Sequence, residues 1–152
     1  MSILAHLRTG VVSGSADETR RLGAELAAAL PPEATLALHG DLGVGKTTFV
    51  QGLAQGFGIG APVTSPTFNL LHLYRPTGTV PAPAGPRLLA HLDAYRIENL
   101  QQVAALMLDD LLLPPFCLAI EWPDRITPWL PADTLHLTLG IEAPGRHRLA
   151  LA

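Results

Sequence analysis

The chain has 152 residues, a formal net charge of −3, 48 % hydrophobic residues and 15 % charged ones. That is long enough for one domain with a real core and too apolar for a disordered chain. The mild acidity, with a pI of about 6.0, argues against a domain that grips nucleic acid by itself. No apolar run reaches membrane-spanning length. Met1-Ser2-Ile3-Leu4-Ala5-His6 lacks a basic start followed by a long apolar core. Neither a membrane helix nor a signal peptide is therefore expected, and the expected compartment is the cytoplasm.

Taken in order, residues 3–12 alternate through Ile3, Ala5 and Leu7 and predict an edge strand. Ser15-Ala16-Asp17-Glu18 has the form of a capping box. It precedes a helix with Leu22, Leu26 and Leu30 on one face, ended by Pro31-Pro32. Residues 35–39 (Thr35-Leu36-Ala37-Leu38-His39) read as a short buried strand. Phe49, Val50, Leu53, Ala54 and Phe57 then recur at helical spacing over residues 46–57, with Gly56, Gly58 and Gly60 as the stop.

Between that strand and helix stands Gly40-Asp41-Leu42-Gly43-Val44-Gly45-Lys46-Thr47-Thr48. It fits G-x-x-x-x-G-K-[ST], the phosphate-binding loop. The glycines let the backbone curl so that its N–H groups converge on one point. A helix N-terminus follows, where the dipole favours anions. Lys46 supplies charge for β- and γ-phosphates, and the Thr47 hydroxyl suits Mg²⁺. Asp41, Leu42, Gly43, Val44, Gly45, Lys46, Thr47 and Thr48 are the candidate nucleotide contacts, with the Asp41 side chain directed outward. Lys46 is the sole lysine; the nine other basic residues are all arginine. Lysine thus stands at the one position where arginine is not an equivalent.

Residues 61–68 read as a polar loop and 69–74 as a strand. The segment Pro76–Pro86, with Pro76, Pro81, Pro83 and Pro86, reads as a mobile surface loop connecting two strands. Residues 87–92 form a second apolar strand ending at Asp93. Residues 98–112 predict one helix with Leu100, Val103, Ala104, Met107 and Leu111 on one side, broken by Pro114-Pro115. Residues 116–120 form a fully apolar strand ending at Glu121-Trp122-Pro123, the pattern of a strand buried on both faces. Cys117 lies inside that run and is expected to be a buried, inert thiol. Residues 134–139 and 146–151 alternate about Pro144-Gly145 and predict a closing antiparallel hairpin. The whole predicts a three-layer α/β fold in one domain, 1–152, with a mainly parallel central sheet and antiparallel additions at its ends.

Ligands of such sheets bind at the carboxyl ends of the strands. Asp93 and Glu121 are the two acids placed there, candidates to hold a metal or act on the phosphates. His39 and His91 are expected as hydrogen-bonded core histidines. Arg125 is expected as a solvated charge. Arg146 and Arg148, on one strand face, are surface charges or a contact to tRNA or a partner.

Together, GDLGVGKTTF (40–49), SPTFNL (65–70), HLDAYR (91–96) and EWP (121–123) resemble the TsaE family, over about residues 13–150. Those are small P-loop ATPases, with the P-loop NTPase fold, needed to make threonylcarbamoyladenosine in tRNA. The resemblance implies that Thr47 and Glu121 hold Mg²⁺ and that Asp93 is an acid needed for activity. It implies that Ser65 and Thr67 belong to a switch-like loop near the γ-phosphate. It places Ser15, at the start of the first long helix, near adenine, and Trp122 beside the metal acid. Lys46, Asp93 and Glu121 are the implied catalytic residues, ATP and Mg²⁺ the cofactors, and TsaD-like and TsaB-like proteins the partners, with tRNA met through that complex. There are two departures. The Pro76–Pro86 loop is longer than the family pattern, and Met107-Leu108-Asp109 stands where the family has a glycine. Two other functions use the same loop: a small-molecule or nucleoside kinase, and a nucleotide-dependent binding module with negligible hydrolysis. No arginine-rich lid of the kinase type is evident.

Overall fold

The computed structural model describes residues 2–66 and 70–152. Seven strands form one sheet. They are β1 (Val11–Ser13), β2 (Glu33–His39), β3 (Leu71–Tyr74), β4 (Leu88–Asp93), β5 (Phe116–Glu121), β6 (Leu135–Ala143) and β7 (Arg146–Leu151). Their order is β1-β7-β6-β2-β5-β4-β3. The four central strands β6, β2, β5 and β4 run parallel. β3 adds antiparallel to β4 at one edge, and β7 and β1 add antiparallel at the other. The expected parallel centre with antiparallel ends is therefore present, and the 76–86 segment is the connection of the β3–β4 pair.

Helices cover both faces. α1 (Ile3–Thr9), α2 (Ala16–Ala29) and α3 (Lys46–Gly56) pack with Leu36, Leu38, Cys117, Ala119, Leu149 and Leu151. On the other face Leu92, Leu118 and Ile120 meet Ile97, Val103, Leu108 and Ile126. β5 alternates between the two, Cys117 and Ala119 on one side, Leu118 and Ile120 on the other, as a period of two requires. α2 begins at Ser15, whose side chain accepts from Glu18 N, and the Glu18 carboxylate accepts from Gly14 N at 2.8 Å. α3 ends where Gly58 N bonds Gln55 O and Ile59 N bonds Ala54 O, the paired bonds of a Schellman stop. α2 and α3 cross closely: a Cβ on Gly52 would strike the Arg20 carbonyl, and one on Gly23 the Phe49 carbonyl.

Two expected elements differ. Residues 3–9 form α1, not an edge strand, and only Val11–Ser13 pairs with the sheet. The reason is local. Ser2 caps the helix by accepting from Ala5 N at 3.2 Å, and Ile3, Leu4 and Leu7 share a helical face on the core. Gly10, at φ 93°, then turns the chain out of the helix. The single helix over 98–112 is instead α4 (Leu100–Ala104) and α5 (Leu108–Leu111). Met107 breaks it in left-handed conformation, φ 56°, and is exposed. That is a conformation glycine adopts freely and other residues hold only at a cost. Met107→Gly is therefore expected to raise stability by roughly 1 kcal/mol, the cost of holding a non-glycine residue there. Thermal or urea unfolding checks this, and a loss of stability would refute it.

Arg87 is the buried arginine that sequence order did not single out. Its guanidinium donates to the carbonyls of Pro31 (2.5 Å), Phe116 (3.2 Å) and Leu30 (3.2 Å) and lies 5.2 Å from the Phe57 ring centroid. It satisfies carbonyls left open past the end of α2. Cys117 is fully buried, and desolvation pushes its thiol up to about 12, opposed in part by Arg87. Iodoacetamide at pH 8 is expected to leave it unlabelled in the native protein and to label it fully in denaturant, because the thiolate is the nucleophile. Rapid native labelling would contradict its burial. No helix among the described residues is long and apolar enough to cross a membrane.

Candidate functional site

The loop between β2 and α3 takes the form the glycines permit. Gly40, Gly43 and Gly45 have φ of 147°, 82° and 103°. Gly45 is the N-cap of α3 and has no capping side chain. A helix N-terminus without a side-chain cap leaves its N–H groups for an external anion. Val44 is buried beneath the loop, while Asp41 and Leu42 stand out from it, Leu42 at 87 % exposure.

Lys46 is 4 % exposed. Its Nζ donates to the Gly40 carbonyl at 2.7 Å and lies 3.9 Å from the Trp122 ring centroid. Burial lowers its pKa; the carboxylates of Glu121, then Asp93, then Asp41 push it back up. The ammonium is thus poor in water contacts but surrounded by compensating charge.

Asp93 and Glu121 end the parallel neighbours β4 and β5 and face each other across the ladder; Leu38, near the end of β2, pairs with Glu121 too. Their surroundings differ. Glu121 is 5 % exposed, and its Oε2 lies 2.6 Å from Nε2 of the fully buried His91. His91 Nδ1 has no partner among the described residues. Asp93 is half-buried, and its Oδ1 accepts from Tyr95 N at 2.9 Å. His91 is thus the hydrogen-bonded core histidine expected, and its partner is the strand-end acid. His39 is hydrogen-bonded as expected but only half-buried rather than in the core: it bonds His136 at 2.9 Å and lies 3.6 Å from Asp124. Burial and then His136 lower its pKa, while Asp124 opposes them.

Trp122 follows Glu121 with φ 55° and precedes Pro123. A residue before proline avoids the right-handed helical region, and a non-glycine residue in the left-handed one is strained. The turn brings the indole over Lys46 and within 5.2 Å of the Tyr95 ring, measured between centroids. Arg125 is exposed and lies 5.7 Å from the Tyr95 ring.

Three hollows run together along the loop. The central one, about 340 Å³, is bounded by Gly43, Gly45, Lys46, Thr47, Thr48, Ser65 and Glu121. One of about 280 Å³ shares Gly43, Gly45 and Thr48 with it and reaches Ser15, Thr19 and His147. One of about 320 Å³ shares Leu42, Ser65 and Glu121 and reaches Asp93, Tyr95, Arg96 and Trp122. Every candidate site residue within the described part of the chain lines this trough, apart from Asp41 and Val44, which belong to the loop itself. Thr67 lies outside the described residues. Among the described residues no group of three or more His, Cys, Asp or Glu side chains is built to hold a metal. Thr47 and Glu121 offer hard oxygen donors on one crevice. That fits an ion such as Mg²⁺, which takes few protein ligands and the rest from phosphates and water.

The family model described as threonylcarbamoyl adenosine biosynthesis protein TsaE matches residues 13–148. The chain belongs to the TsaE family. It is 34 % identical to the tRNA threonylcarbamoyladenosine biosynthesis protein TsaE of Treponema pallidum, over 93 % of this chain and 98 % of that protein. It is 36 % identical to the TsaE protein of Bacillus subtilis, over 81 % and 72 % of the two chains. The crystal structure of Bacillus subtilis YdiB superposes with a TM-score of 0.70 at 27 % identity, covering 93 % of this chain and 82 % of that one. The chain is thus a TsaE-family member in tRNA threonylcarbamoyladenosine biosynthesis, with the P-loop NTPase-like fold of its structural neighbour.

Two site features were not legible in sequence. His147 reaches the loop from β7, which no local motif announces. The His91–Glu121 bond depends on the register of β4 against β5.

Proposed function

We propose that this chain is a single-domain cytoplasmic ATPase. It binds Mg-ATP in the trough and hydrolyses it, slowly or in a partner-dependent way, to support a TsaD–TsaB assembly acting on tRNA. The observation that carries the reading is the seat of Lys46. The sole lysine is buried at the base of a phosphate-binding loop, between Gly40 and Trp122, and borders the same crevice as Thr47 and Glu121.

In this reading the N–H groups from Leu42 to Thr48 cradle the phosphates. Lys46 leaves the Gly40 carbonyl for the β- and γ-phosphates. Thr47 and Glu121 would hold Mg²⁺, which would supply neutralising charge to the phosphates. His91 fixes the Glu121 carboxylate, and a fixed carboxylate presents a constant donor geometry. Asp93, bordering the hollow beyond Glu121, orients the attacking water. Ser15 borders the opposite end, where the base would lie. Ser65, bordering the central hollow, responds to the γ-phosphate, and Trp122 covers the lysine.

ADP release tests the reading when measured with the chain alone, with a TsaD–TsaB pair added, and with nucleosides offered as phosphoryl acceptors. Release raised by the protein pair supports it. Release that requires an acceptor and ignores the pair would make the chain a kinase, and ATP binding without release in any arm would make it a binding module.

A further inference from the structure

We propose that His147 is a positioning residue of the phosphate loop: from the C-terminal hairpin it locks the Val44–Gly45 peptide so that the Gly45 N–H faces the phosphate seat. His147 Nδ1 lies 2.6 Å from the Val44 carbonyl oxygen. A carbonyl only accepts, so Nδ1 carries the proton and donates. A trans peptide is planar, with its C=O and the following N–H pointing in opposite directions. Holding the Val44 oxygen toward β7 therefore aims the Gly45 N–H the other way, toward the crevice. The lock is needed because of Gly45 itself. At φ 103° it occupies a region that glycine enters and leaves at little cost, so the peptide before it is free to turn over.

The sheet edge is built to deliver this ring. In β7, Arg146 and Arg148 face out, while Leu149 and Leu151 are buried. His147 lies on the inner side with those leucines, at the rim nearest the loop. β6 carries an irregularity between Ile141 and Ala143, opposite Arg146 and His147. Bulges beside functional sites twist a strand and re-aim a side chain. β1 holds the other flank: Ser13 pairs with His147, and Ser13 Oγ bonds Thr19 Oγ1 at 2.7 Å near the start of α2. The antiparallel additions thus join His147, the Ser15 end of the trough and the loop in one unit.

The inference rests on the loop being a nucleotide site, and the test separates the two. ADP is titrated calorimetrically, with and without Mg²⁺, into the wild-type chain, His147→Leu and His147→Asn. Asparagine carries its amide nitrogen on Cγ, as histidine carries Nδ1, so it keeps the donor and loses the ring. His147→Leu is expected to weaken ADP binding by about ten-fold or more, in both conditions, the scale of a hydrogen bond to a charged phosphate. His147→Asn is expected to stay within about two-fold of wild type, because the same bond is made. Turnover at saturating ATP should fall less than apparent affinity does. Unchanged affinity in His147→Leu overturns the inference, as does equal weakening in both variants, which would assign the effect to ring packing. Should His147→Leu fail to fold, His147→Ala, which also lacks a donor, takes its place under the same criteria. A wild-type chain that binds no ADP overturns the nucleotide reading and this inference together. Tight wild-type binding with an insensitive His147→Leu overturns the inference alone.

Discussion

Lys46→Ala is expected to lower ATP turnover by about 10²–10³-fold or more, the scale of losing a preorganised charge from a phosphoryl-transfer site. No other lysine exists to substitute. Arg96 lines the outer hollow and is exposed, and Arg125 is exposed against Tyr95. The Lys46 ammonium is also prepared in a way a surface charge is not. Burial strips it of water, which lowers its pKa, and Glu121, Asp93 and Asp41 oppose that shift in part. An ammonium held by one carbonyl and one indole face can be drawn to phosphate without shedding a full hydration shell. Lys46→Arg is expected to fail nearly as badly, since a planar fork does not fit a seat shaped for a point charge. ADP release, beside a thermal melt of each variant, checks this. Wild-type turnover by a folded Lys46→Ala chain would refute the site.

What was legible in the sequence was local. The loop, its flanking strand and its helix are specified by residues within about 25 positions, and all three stand as expected. The strand ends were legible because a continuous apolar run marks a buried parallel strand and the carboxylate after it marks where the strand stops. What was not legible depends on register and on backbone competition. Ile3, Ala5 and Leu7 fit a strand, but Ile3, Leu4 and Leu7 fit a helix as well, and the Ser2 cap decides between them. Residues 98–112 keep a helical apolar pattern that continues past the real break at Met107, because side-chain periodicity does not report φ. Arg87, His91 and His147 each act on a residue at least 29 positions away. Only the pairing of strands brings those partners together.

The two strand-end acids should respond to substitution in opposite ways. Glu121 is buried against His91 and borders the same crevice as Thr47. A ligand to the ion contributes to nucleotide affinity and to catalysis alike. Glu121→Ala is therefore expected to raise the dissociation constant of Mg-ATP by about ten-fold or more, while Mg²⁺-free ADP binding changes little. Alanine would also leave both His91 ring nitrogens without partners in a dry site, so Glu121→Gln is the necessary companion. Glutamine keeps an oxygen for His91 Nε2 and removes only the charge, and its loss of Mg-ATP affinity isolates the metal role from damage to the core. Asp93 differs. It is half-buried, holds the Tyr95 N–H with one oxygen, and borders the outer hollow rather than the loop crevice. A group that orients water on the γ-phosphate acts mainly in the transition state. Asp93→Asn is expected to cut partner-stimulated ADP release by about 10²-fold, the scale of a general base. Mg-ATP affinity should be kept or improved, because one negative charge leaves the neighbourhood of the phosphates. Trp122, packed over Lys46, offers a fluorescence signal for the titrations. If Asp93→Asn loses Mg-ATP affinity and Glu121→Gln does not, the two roles are exchanged. If neither substitution changes affinity or turnover, the carboxylates are strand-end residues only, and the reaction is run by the loop alone.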